Sequence, residues 1–193
     1  MKKNDTTFDG IILLDKVIKP SLAKDLISYI DTSNDLLEEK YGDSSNVQCE
    51  YLNISDIRNP KTKEKLDGEL FKTVGKIIQK IWDDNKILSR SDTGYCLRRI
   101  HGRTRLHTDG VLGYGNNKNS ETVSTKSIRN MSVIIALNDD YEGGEFNFPN
   151  QNKKIKLKKY QAIAFPPYWT HPHEVSAPKK GTFRYTINTW LCE

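Results

Sequence analysis

The chain has 193 residues, of which 36% are hydrophobic and 28% are charged, and its formal net charge is +5. This length and composition predict one folded domain spanning residues 1–193 and exclude wholesale disorder. No apolar run approaches the ~18 residues that a membrane-spanning helix needs, and the modest charge does not favour a nucleic-acid partner. Cys49, Cys96 and Cys192 are odd in number and far apart, so we expect reduced thiols in a cytoplasmic protein.

The N-terminal half has the patterns of two strands and two helices. Residues 10–18 and 51–57 are rich in β-branched and other apolar side chains, which favours strands. Ser21 is placed to cap a helix whose apolar residues recur on one face. Over residues 61–84, apolar residues recur every three or four positions, which predicts a long amphipathic helix that begins after Asn59.

The C-terminal half has the composition of an all-β structure. Five β-branched and aromatic segments are separated by glycine, proline and Asn-Asp clusters: residues 95–100, 131–138, 153–159, 161–166 and 183–191. We expect an α+β, mainly β fold in which a sandwich or jelly roll over about residues 93–193 packs against helices within residues 20–84. The lysine-rich segment 153–159 is typical of a half-exposed strand, with a nucleic-acid contact strip as the alternative.

Three side chains have the spacing of a metal site. In His107-Thr108-Asp109, an imidazole and a carboxylate two residues apart face the same side of an extended backbone and can bind one ion together. His171 and His173, about sixty residues downstream, are both candidates for a third ligand, and strand alternation does not separate them. Two histidines and one carboxylate form the facial triad that holds non-haem Fe(II). A hydrogen-bonded surface pair is the alternative for His107 and Asp109.

The last predicted strand places an arginine among polar and aromatic neighbours. Arg184, Thr186, Asn188 and Trp190 alternate along this strand and therefore share a face. Burying an arginine without a partner is costly, but a guanidinium that lines a pocket matches a carboxylate in a two-pronged contact. This face predicts an anion pocket, with a solvated edge strand as the alternative.

Three segments together resemble the prolyl 4-hydroxylase branch of the 2-oxoglutarate- and Fe(II)-dependent dioxygenases. They are HTD at 107–109, RNMSVIIALNDDYEGGEFNFP at 129–149 and KKYQAIAFPPYWTHPHEVSAPKKGTFRYTINTW at 158–190. The HxD pair, the GGE hairpin, the histidine of HEV and the later basic residue follow the order and spacing of that family over residues 95–192. Residues 8–32 also resemble the first strand and helix of the family.

The resemblance implies a role for each matching residue. It implies that His107, Asp109 and His173 bind Fe(II), because the distal ligand of the family is the histidine followed by Glu-Val. It implies that Arg184 binds the C5 carboxylate of 2-oxoglutarate and that Asn188 assists. No catalytic residue beyond these ligands of the metal and the cosubstrate is implied.

Two features depart from the family pattern or extend it. Ile100 occupies the position where the family often has a tyrosine that contacts 2-oxoglutarate, and we expect Tyr95 to substitute for it. The polar segment from about residue 110 to residue 128 follows Asp109 directly and lacks periodicity. Because long loops inside compact domains are commonly functional, we expect this segment to form a lid, with an insertion of no function as the alternative.

The resemblance implies a double-stranded β-helix with a cupin-like core. It further implies a dioxygenase that uses Fe(II), 2-oxoglutarate and O2, with ascorbate as reductant, to hydroxylate a C–H bond. A prolyl residue in a peptide or protein is the favoured substrate. The alternatives are a same-fold oxygenase acting on another side chain, a free amino acid or a nucleobase, and a non-catalytic cupin-like binding module. The sequence defines neither the substrate nor the oligomeric state.

Overall fold

The computed structural model describes residues 9–40, 47–110, 112–114 and 125–193. Two α-helices, α1 (Pro20–Thr32) and α2 (Pro60–Asn85), belong to the N-terminal half. The strands are β1 (Ile12–Leu14), β2 (Leu37–Lys40), β3 (Val47–Asn53), β4 (Ser91–Asp92), β5 (Cys96–Ile100), β6 (Thr104–His107), β7 (Leu112–Tyr114), β8 (Thr125–Ala136), β9 (Phe146–Phe148), β10 (Lys153–Ile155), β11 (Ala162–Phe165), β12 (His173–Val175) and β13 (Arg184–Cys192). No helix among these residues is long and apolar enough to cross a membrane.

Within the described residues, the strands form a large and a small antiparallel sheet. The large sheet has the order β1-β11-β8-β13-β5-β3-β2, with β4 paired to β13 and β7 paired to β8. The small sheet has the order β10-β9-β12-β6. Neighbouring strands are mostly distant in the chain, which is the connectivity of a jelly roll. The expected mainly β architecture with N-terminal helices is confirmed.

Two apolar cores divide the molecule into three layers. On β8, alternate residues point to opposite faces of the large sheet, so Val133 and Ile135 pack with the helices while Ile134 and Ala136 face the small sheet. The helix-side core includes the buried residues of α1 and α2: Leu22, Ala23, Leu26, Ile30, Leu66, Leu70, Val74, Ile77 and Ile81. The helices therefore support the outer face of the large sheet and leave its inner face for the cavity described below.

Both predicted helices are present; the second begins where it was predicted, but the predicted cap of the first is wrong. The Asn59 side chain accepts a hydrogen bond from the Thr62 amide over 3.1 Å and begins α2 as predicted. Ser21 was expected to cap α1, but the helix begins one residue earlier, at Pro20, after Lys19. Proline suits the first helical position because its fixed φ is helical and its missing N–H has no partner to lose there.

Several predicted strands are shorter or shifted. The strand expected over residues 10–18 is limited to Ile12–Leu14, and the one expected over 51–57 ends at Asn53 and continues as a 3-10 turn. In the segment 153–159 only Lys153–Ile155 pairs, and Leu157 is buried after the strand has ended. Apolar alternation thus located these strands but did not fix their ends.

The segment 110–128 is not a loop throughout. Leu112 pairs with Ile128 and Tyr114 with Thr125, so both ends of the segment are antiparallel strand. Residues 115–124, on which the predicted lid chiefly depends, lie outside the described residues.

Candidate active site

Strand pairing brings together two histidines that are 66 positions apart in the sequence. His173 on β12 lies opposite His107 on β6, and the centroids of their rings are 4.4 Å apart. Asp109 follows β6 directly and places Oδ1 at 3.1 Å from His107 Nε2 and 3.8 Å from His173 Nε2. One donor atom from each of the three side chains lies within 4.8 Å of the other two.

Backbone carbonyl groups set the orientation of both imidazole rings. His107 Nδ1 lies 2.8 Å from the carbonyl oxygen of Arg105, and His173 Nδ1 lies 3.3 Å from that of His171. A carbonyl oxygen only accepts hydrogen bonds, so both Nδ1 atoms carry the proton. Each Nε2 atom is thereby turned towards the Asp109 carboxylate, in the arrangement that a metal-binding histidine requires.

The two oxygen atoms of the Asp109 carboxylate make different contacts. The Ser132 hydroxyl donates a short hydrogen bond to Oδ2, and Trp190 Nε1 donates to the same oxygen over 3.2 Å. The guanidinium of Arg129 lies 4.0 Å from the Trp190 ring centroid and donates to the main-chain carbonyl of Asp109 over 3.1 Å. These contacts fix Oδ2 and leave Oδ1 facing the two histidines.

Charge at the site favours binding of a cation. Burial by itself would raise the pKa of Asp109, but the hydrogen bond from His107, the charge of His173 and the Ser132 hydroxyl together lower it to about 2. The carboxyl group is therefore ionised at neutral pH. The hydrogen bond to Asp109 raises the pKa of His107, whereas burial lowers the pKa of His173.

His173 is enclosed by aromatic rings, whereas His107 is partly exposed. The centroids of Phe165, Phe148 and Phe146 lie 4.7, 5.5 and 6.4 Å from that of His173. The side chain of His173 is 4% exposed and that of His107 is 38% exposed. One side of the site is therefore enclosed by aromatic rings, and the other opens to the cavity.

His171 points away from this cluster. Its Nε2 lies 2.7 Å from the carbonyl oxygen of Asp9, and its Nδ1 lies 2.9 Å from the Thr170 hydroxyl. A β-carbon at Gly10 would come within 2.9 Å of the same Nε2, so the N-terminal segment packs tightly on this ring. Strand parity did not separate these two histidines. In the structure, His173 lies beside His107 and Asp109, whereas His171 packs against the N-terminal segment.

A cavity of about 440 Å³ connects the cluster to Arg184 and Asn188. Arg184 begins β13 and is buried, and its guanidinium carbon lies 5.2 Å from the Phe146 ring centroid. Asn188 lies on the same face of β13, and its side-chain oxygen accepts a hydrogen bond from Thr186 over 2.8 Å. The predicted polar face of the last strand therefore lines a pocket, and Arg184 is not on an edge strand, because β13 pairs with both β5 and β8.

Tyr95 does not reach this cavity, contrary to the sequence-based expectation. Its ring belongs to the helix-side core, and its hydroxyl donates to Asp92 Oδ2 over 2.9 Å. Burial is the main reason why the pKa of Tyr95 is raised. Tyr95 precedes β5, and on that strand Leu97 faces the same core while Ile100 lines the cavity. No tyrosine therefore lines the cavity at the Ile100 position, and the expected replacement by Tyr95 is wrong.

The residues that the sequence analysis missed include Ser132, Glu39 and Arg98. Ser132 contacts Asp109, and Glu39 and Arg98 line the cavity wall. Alternation along β8 would have revealed Ser132, because it shares a face with Ile134 and Ala136 and is polar within an apolar strand. Glu39 and Arg98 carry no such signal, because their meeting depends on the pairing of β2, β3 and β5.

The profile of the 2OG-Fe(II) oxygenase superfamily matches residues 96–192, just over half of the chain. The chain belongs to this superfamily. Over 70 residues it is 36% identical to human prolyl 3-hydroxylase 2, a match that covers 34% of this chain and 10% of the human protein. The matched part is thus a small fraction of that relative.

Solved prolyl hydroxylases share the fold of this 2OG-Fe(II) oxygenase. A Trichoplax adhaerens prolyl hydroxylase, solved with a hypoxia inducible factor peptide, has a TM-score of 0.68 and 16% identity over 96% of this chain and 84% of its own. The viral collagen prolyl hydroxylase of Paramecium Bursaria Chlorella virus-1, solved with 2OG, has a TM-score of 0.64 and 17% identity over 95% of both chains. A Pseudomonas putida prolyl-4-hydroxylase has a TM-score of 0.63 and 13% identity over 95% of this chain and 92% of its own. The predicted double-stranded β-helix is confirmed.

Membership of the superfamily implies Fe(II), 2-oxoglutarate and O2 as metal, cosubstrate and oxidant. The donor set fits the metal, because two imidazoles and one carboxylate are the ligands of the non-haem Fe(II) facial triad. The cavity also fits a dicarboxylate, because the buried cation of Arg184 lines the same space as the His-Asp-His cluster. The superfamily does not by itself define which substrate is oxidised.

Proposed function

We propose that this protein is a 2-oxoglutarate- and Fe(II)-dependent dioxygenase that hydroxylates a prolyl residue in a peptide or protein. The observation that carries the proposal is the convergence of His107 Nε2, Asp109 Oδ1 and His173 Nε2 in a cavity that also contains Arg184. A non-catalytic cupin-like module is disfavoured, because a binding module needs neither a complete donor set nor a cation placed for the cosubstrate.

His107, Asp109 and His173 would hold the iron. All three side chains line the cavity that also contains Arg184, so the cosubstrate would bind beside the metal in the same space. The Asp109 carboxylate neutralises part of the metal charge, and the carbonyl groups behind both histidines keep the Nε2 lone pairs directed at the ion. The aromatic rings around His173 exclude water from the inner side.

Arg184 would bind the C5 carboxylate of 2-oxoglutarate through its guanidinium group. A planar guanidinium forms two parallel hydrogen bonds to a carboxylate, which fixes both the position and the direction of the cosubstrate. Asn188, on the same strand face, would add a polar contact along the cosubstrate. When bound, Fe(II) and 2-oxoglutarate supply the oxidising chemistry, in which 2-oxoglutarate is decarboxylated to succinate and one oxygen atom enters a substrate C–H bond.

The prolyl substrate is supported by the proteins to which this chain is similar. The related human protein and the similar solved structures are named as prolyl hydroxylases, and one of them is solved with a peptide. We propose ascorbate as the reductant that restores Fe(II) between turnovers, on the family resemblance alone. The other candidates are a different side chain, a free amino acid and a nucleobase.

Anaerobic binding and aerobic turnover test this proposal. The protein loaded with Fe(II) should develop a charge-transfer absorption on addition of 2-oxoglutarate, and it should release succinate when O2 is admitted. Mass spectrometry of proline-containing peptides should then show a mass gain of one oxygen atom on proline. Succinate release with oxidation only on another residue type would contradict the prolyl substrate, and failure to bind Fe(II) would contradict the enzyme class.

A further inference from the structure

Two hollows on the inner face of the large sheet are separated by one ion pair. The active-site cavity and an outer hollow of about 370 Å³ share two lining residues, Glu39 and Arg98. Arg98 Nη2 donates to Glu39 Oε2, and Arg98 Nε donates to Cys49 Sγ over 3.3 Å. The pair therefore forms the partition between the space near the metal site and a second space open to solvent.

Strand order shows that this partition lies to the side of the proposed cosubstrate site. β5, which carries Arg98, is next to β13, and β2, which carries Glu39, lies two strands farther out. At the usual strand spacing, β2 is about 14 Å from β13. Arg98 extends towards Glu39 on β2, so the pair lies on the β2 side of the cavity and Arg184 on its β13 side.

Regular strand pairing places Glu39 on the inner face of the large sheet. Glu39 pairs with Cys49 on β3, and Cys49 pairs with Ile100 on β5, which lines the cavity. Directly paired residues point to the same face of a sheet. Glu39 therefore lies on the same face as Arg98, where the two side chains meet.

The pair has unused hydrogen-bonding capacity on the side that faces both hollows. Contacts with other described residues account for Nε and one Nη2 hydrogen of Arg98, out of five N–H groups, and for one oxygen of Glu39. The side chains are 19% and 31% exposed, so solvent reaches them. Replacing a partly buried ion pair by apolar residues is commonly neutral or stabilising, and stability alone therefore does not explain its presence in this wall.

We propose that Glu39 and Arg98 bind the main chain of an extended peptide substrate where it crosses from the outer hollow into the active-site cavity. A peptide presents a carbonyl acceptor and an N–H donor on neighbouring groups, and Arg98 and Glu39 offer the complementary donor and acceptor side by side. This inference rests on the proposed prolyl hydroxylase function and makes it more specific. It identifies the substrate as an internal residue of a peptide and excludes a free amino acid.

The outer hollow has the properties of a site for a flanking residue. Its wall combines the ring of Tyr51 with charges of both signs on Glu38, Lys40 and the partition pair. A free amino acid held at the metal site would not extend into this space. A peptide with residues on both sides of the hydroxylated position would fill it.

The experiment compares probes of increasing length on the holoenzyme. The probes are L-proline, N-acetyl-L-proline amide and a pool of acetylated, amidated heptapeptides with a central proline and randomised flanks. The best heptapeptide is then shortened from each end. Variants Arg98→Met, Arg98→Lys and Glu39→Gln are assayed for peptide KM, kcat and binding of 2-oxoglutarate to the Fe(II)-loaded protein without O2. The lysine and glutamine variants preserve much of the side-chain volume, in case Arg98→Met fails to fold.

The next residue on the same strand provides a matched control. Arg99 is 21% exposed and pairs with Glu50 and Asp31 on the opposite, helix-side face of the sheet. Arg99→Met therefore removes a comparable ion pair from β5 without touching either hollow. An effect that acts only through the stability of β5 would appear equally in both arginine variants.

We expect Arg98→Met and Glu39→Gln to raise the KM of the heptapeptide about 10- to 100-fold, the usual effect of losing a hydrogen bond to a charged group. The KM of N-acetyl-L-proline amide and the affinity for 2-oxoglutarate should change less than about twofold. Shortening the peptide from the end that lies in the outer hollow should raise KM in the wild type but not in Arg98→Met, because both changes remove the same contact.

Four outcomes would overturn the inference. They are an unchanged heptapeptide KM in the Arg98 and Glu39 variants, an equal rise in Arg99→Met, a parallel loss of 2-oxoglutarate affinity, and free L-proline serving as well as the heptapeptide. If the wild type binds Fe(II) and 2-oxoglutarate but oxidises no peptide of the pool, the prolyl-peptide function fails together with the inference. If it oxidises peptides but the variants retain the wild-type KM, only the inference fails.

Discussion

Trp190 Nε1 donates a hydrogen bond to Oδ2 of Asp109 over 3.2 Å, across the two sheets. Ser132 donates to the same oxygen, so both lone-pair directions of Oδ2 have donors from the large sheet. Oδ1 alone is left to face His107 and His173. A carboxylate that is held in this way would offer only Oδ1 to a bound Fe(II) ion, because Oδ2 already accepts two hydrogen bonds.

Removal of either donor should weaken metal binding. Ser132→Ala and Trp190→Phe each leave Oδ2 with one donor, so the carboxylate gains rotational freedom and the affinity for Fe(II) should fall about 10- to 100-fold. Anaerobic titration with Fe(II), or with Co(II) as a spectroscopic substitute, measures this directly. Trp190→Phe keeps a ring beneath Arg129, which separates the hydrogen bond from the stacking contact.

The matched control for Ser132→Ala and Trp190→Phe is a hydroxyl group on the same inner face that does not contact Asp109. Thr186 on β13 donates to Asn188 instead, so Thr186→Val should leave the Fe(II) affinity unchanged. Equal Fe(II) affinity in Ser132→Ala and the wild type would show that the hydroxyl does not position the carboxylate.

Arg184 should control the affinity for 2-oxoglutarate without controlling the affinity for iron. Loss of one partner of a buried, hydrogen-bonded charge pair costs roughly 2–5 kcal/mol, so Arg184→Ala should weaken 2-oxoglutarate binding roughly 30- to several-thousand-fold. Arg184→Lys should recover part of the loss, because lysine keeps the charge but not the planar fork. Isothermal titration of the two Fe(II)-loaded variants with 2-oxoglutarate measures the dissociation constant of each. A wild-type dissociation constant in Arg184→Ala would contradict the assignment.

Substitutions of His171 and His173 should affect different properties: the first the stability of the fold, and the second the binding of Fe(II). His173→Ala removes a proposed ligand and should abolish tight Fe(II) binding. His171→Ala should retain it but lower the free energy of unfolding by about 1–3 kcal/mol, because the hydrogen bond to the partly buried carbonyl of Asp9 is lost. Urea unfolding combined with Fe(II) titration measures both effects. The reverse pattern, with metal binding lost only in His171→Ala, would require a different set of ligands.

Site residues that are close together in the sequence were predicted more directly than residues that strand pairing brings together. His107 and Asp109 are two residues apart, so their common face follows from the geometry of an extended chain alone. The choice of His173 over His171 needed the family resemblance, because both have the same parity. In the structure, the register of β12 against β6 places His173, and not His171, opposite His107.

Tyr95 shows where sequence proximity is a poor guide. It is one residue from β5, and it was expected in the pocket because no nearer tyrosine was available. Its main-chain carbonyl accepts from the Ile54 amide over 2.9 Å, and its hydroxyl donates to Asp92, so it is fixed among the helix-side residues. The Glu39–Arg98 pair is the opposite case, since two charged residues 59 positions apart meet only because β3 lies between β2 and β5.

The ion pair between Glu50 and Arg99 should make part of the stability dependent on pH. Hydrogen bonds from Arg99 lower the pKa of Glu50 from its ordinary value of 4.5, against the opposing effect of burial. A carboxyl group with a lowered pKa in the folded state adds stability above its unfolded pKa, and this contribution is lost as the pH falls through the folded pKa. The wild type should therefore be more stable than Glu50→Gln at pH 7, and the difference should shrink between about pH 5 and pH 3.

Urea midpoints across this pH range measure the difference in stability. Glu64→Gln, at an exposed site of α2, is the control that should show no comparable difference. A difference that stayed constant down to pH 3 would mean that Glu50 stabilises the fold through packing, because charge pairing disappears once the carboxyl group is protonated.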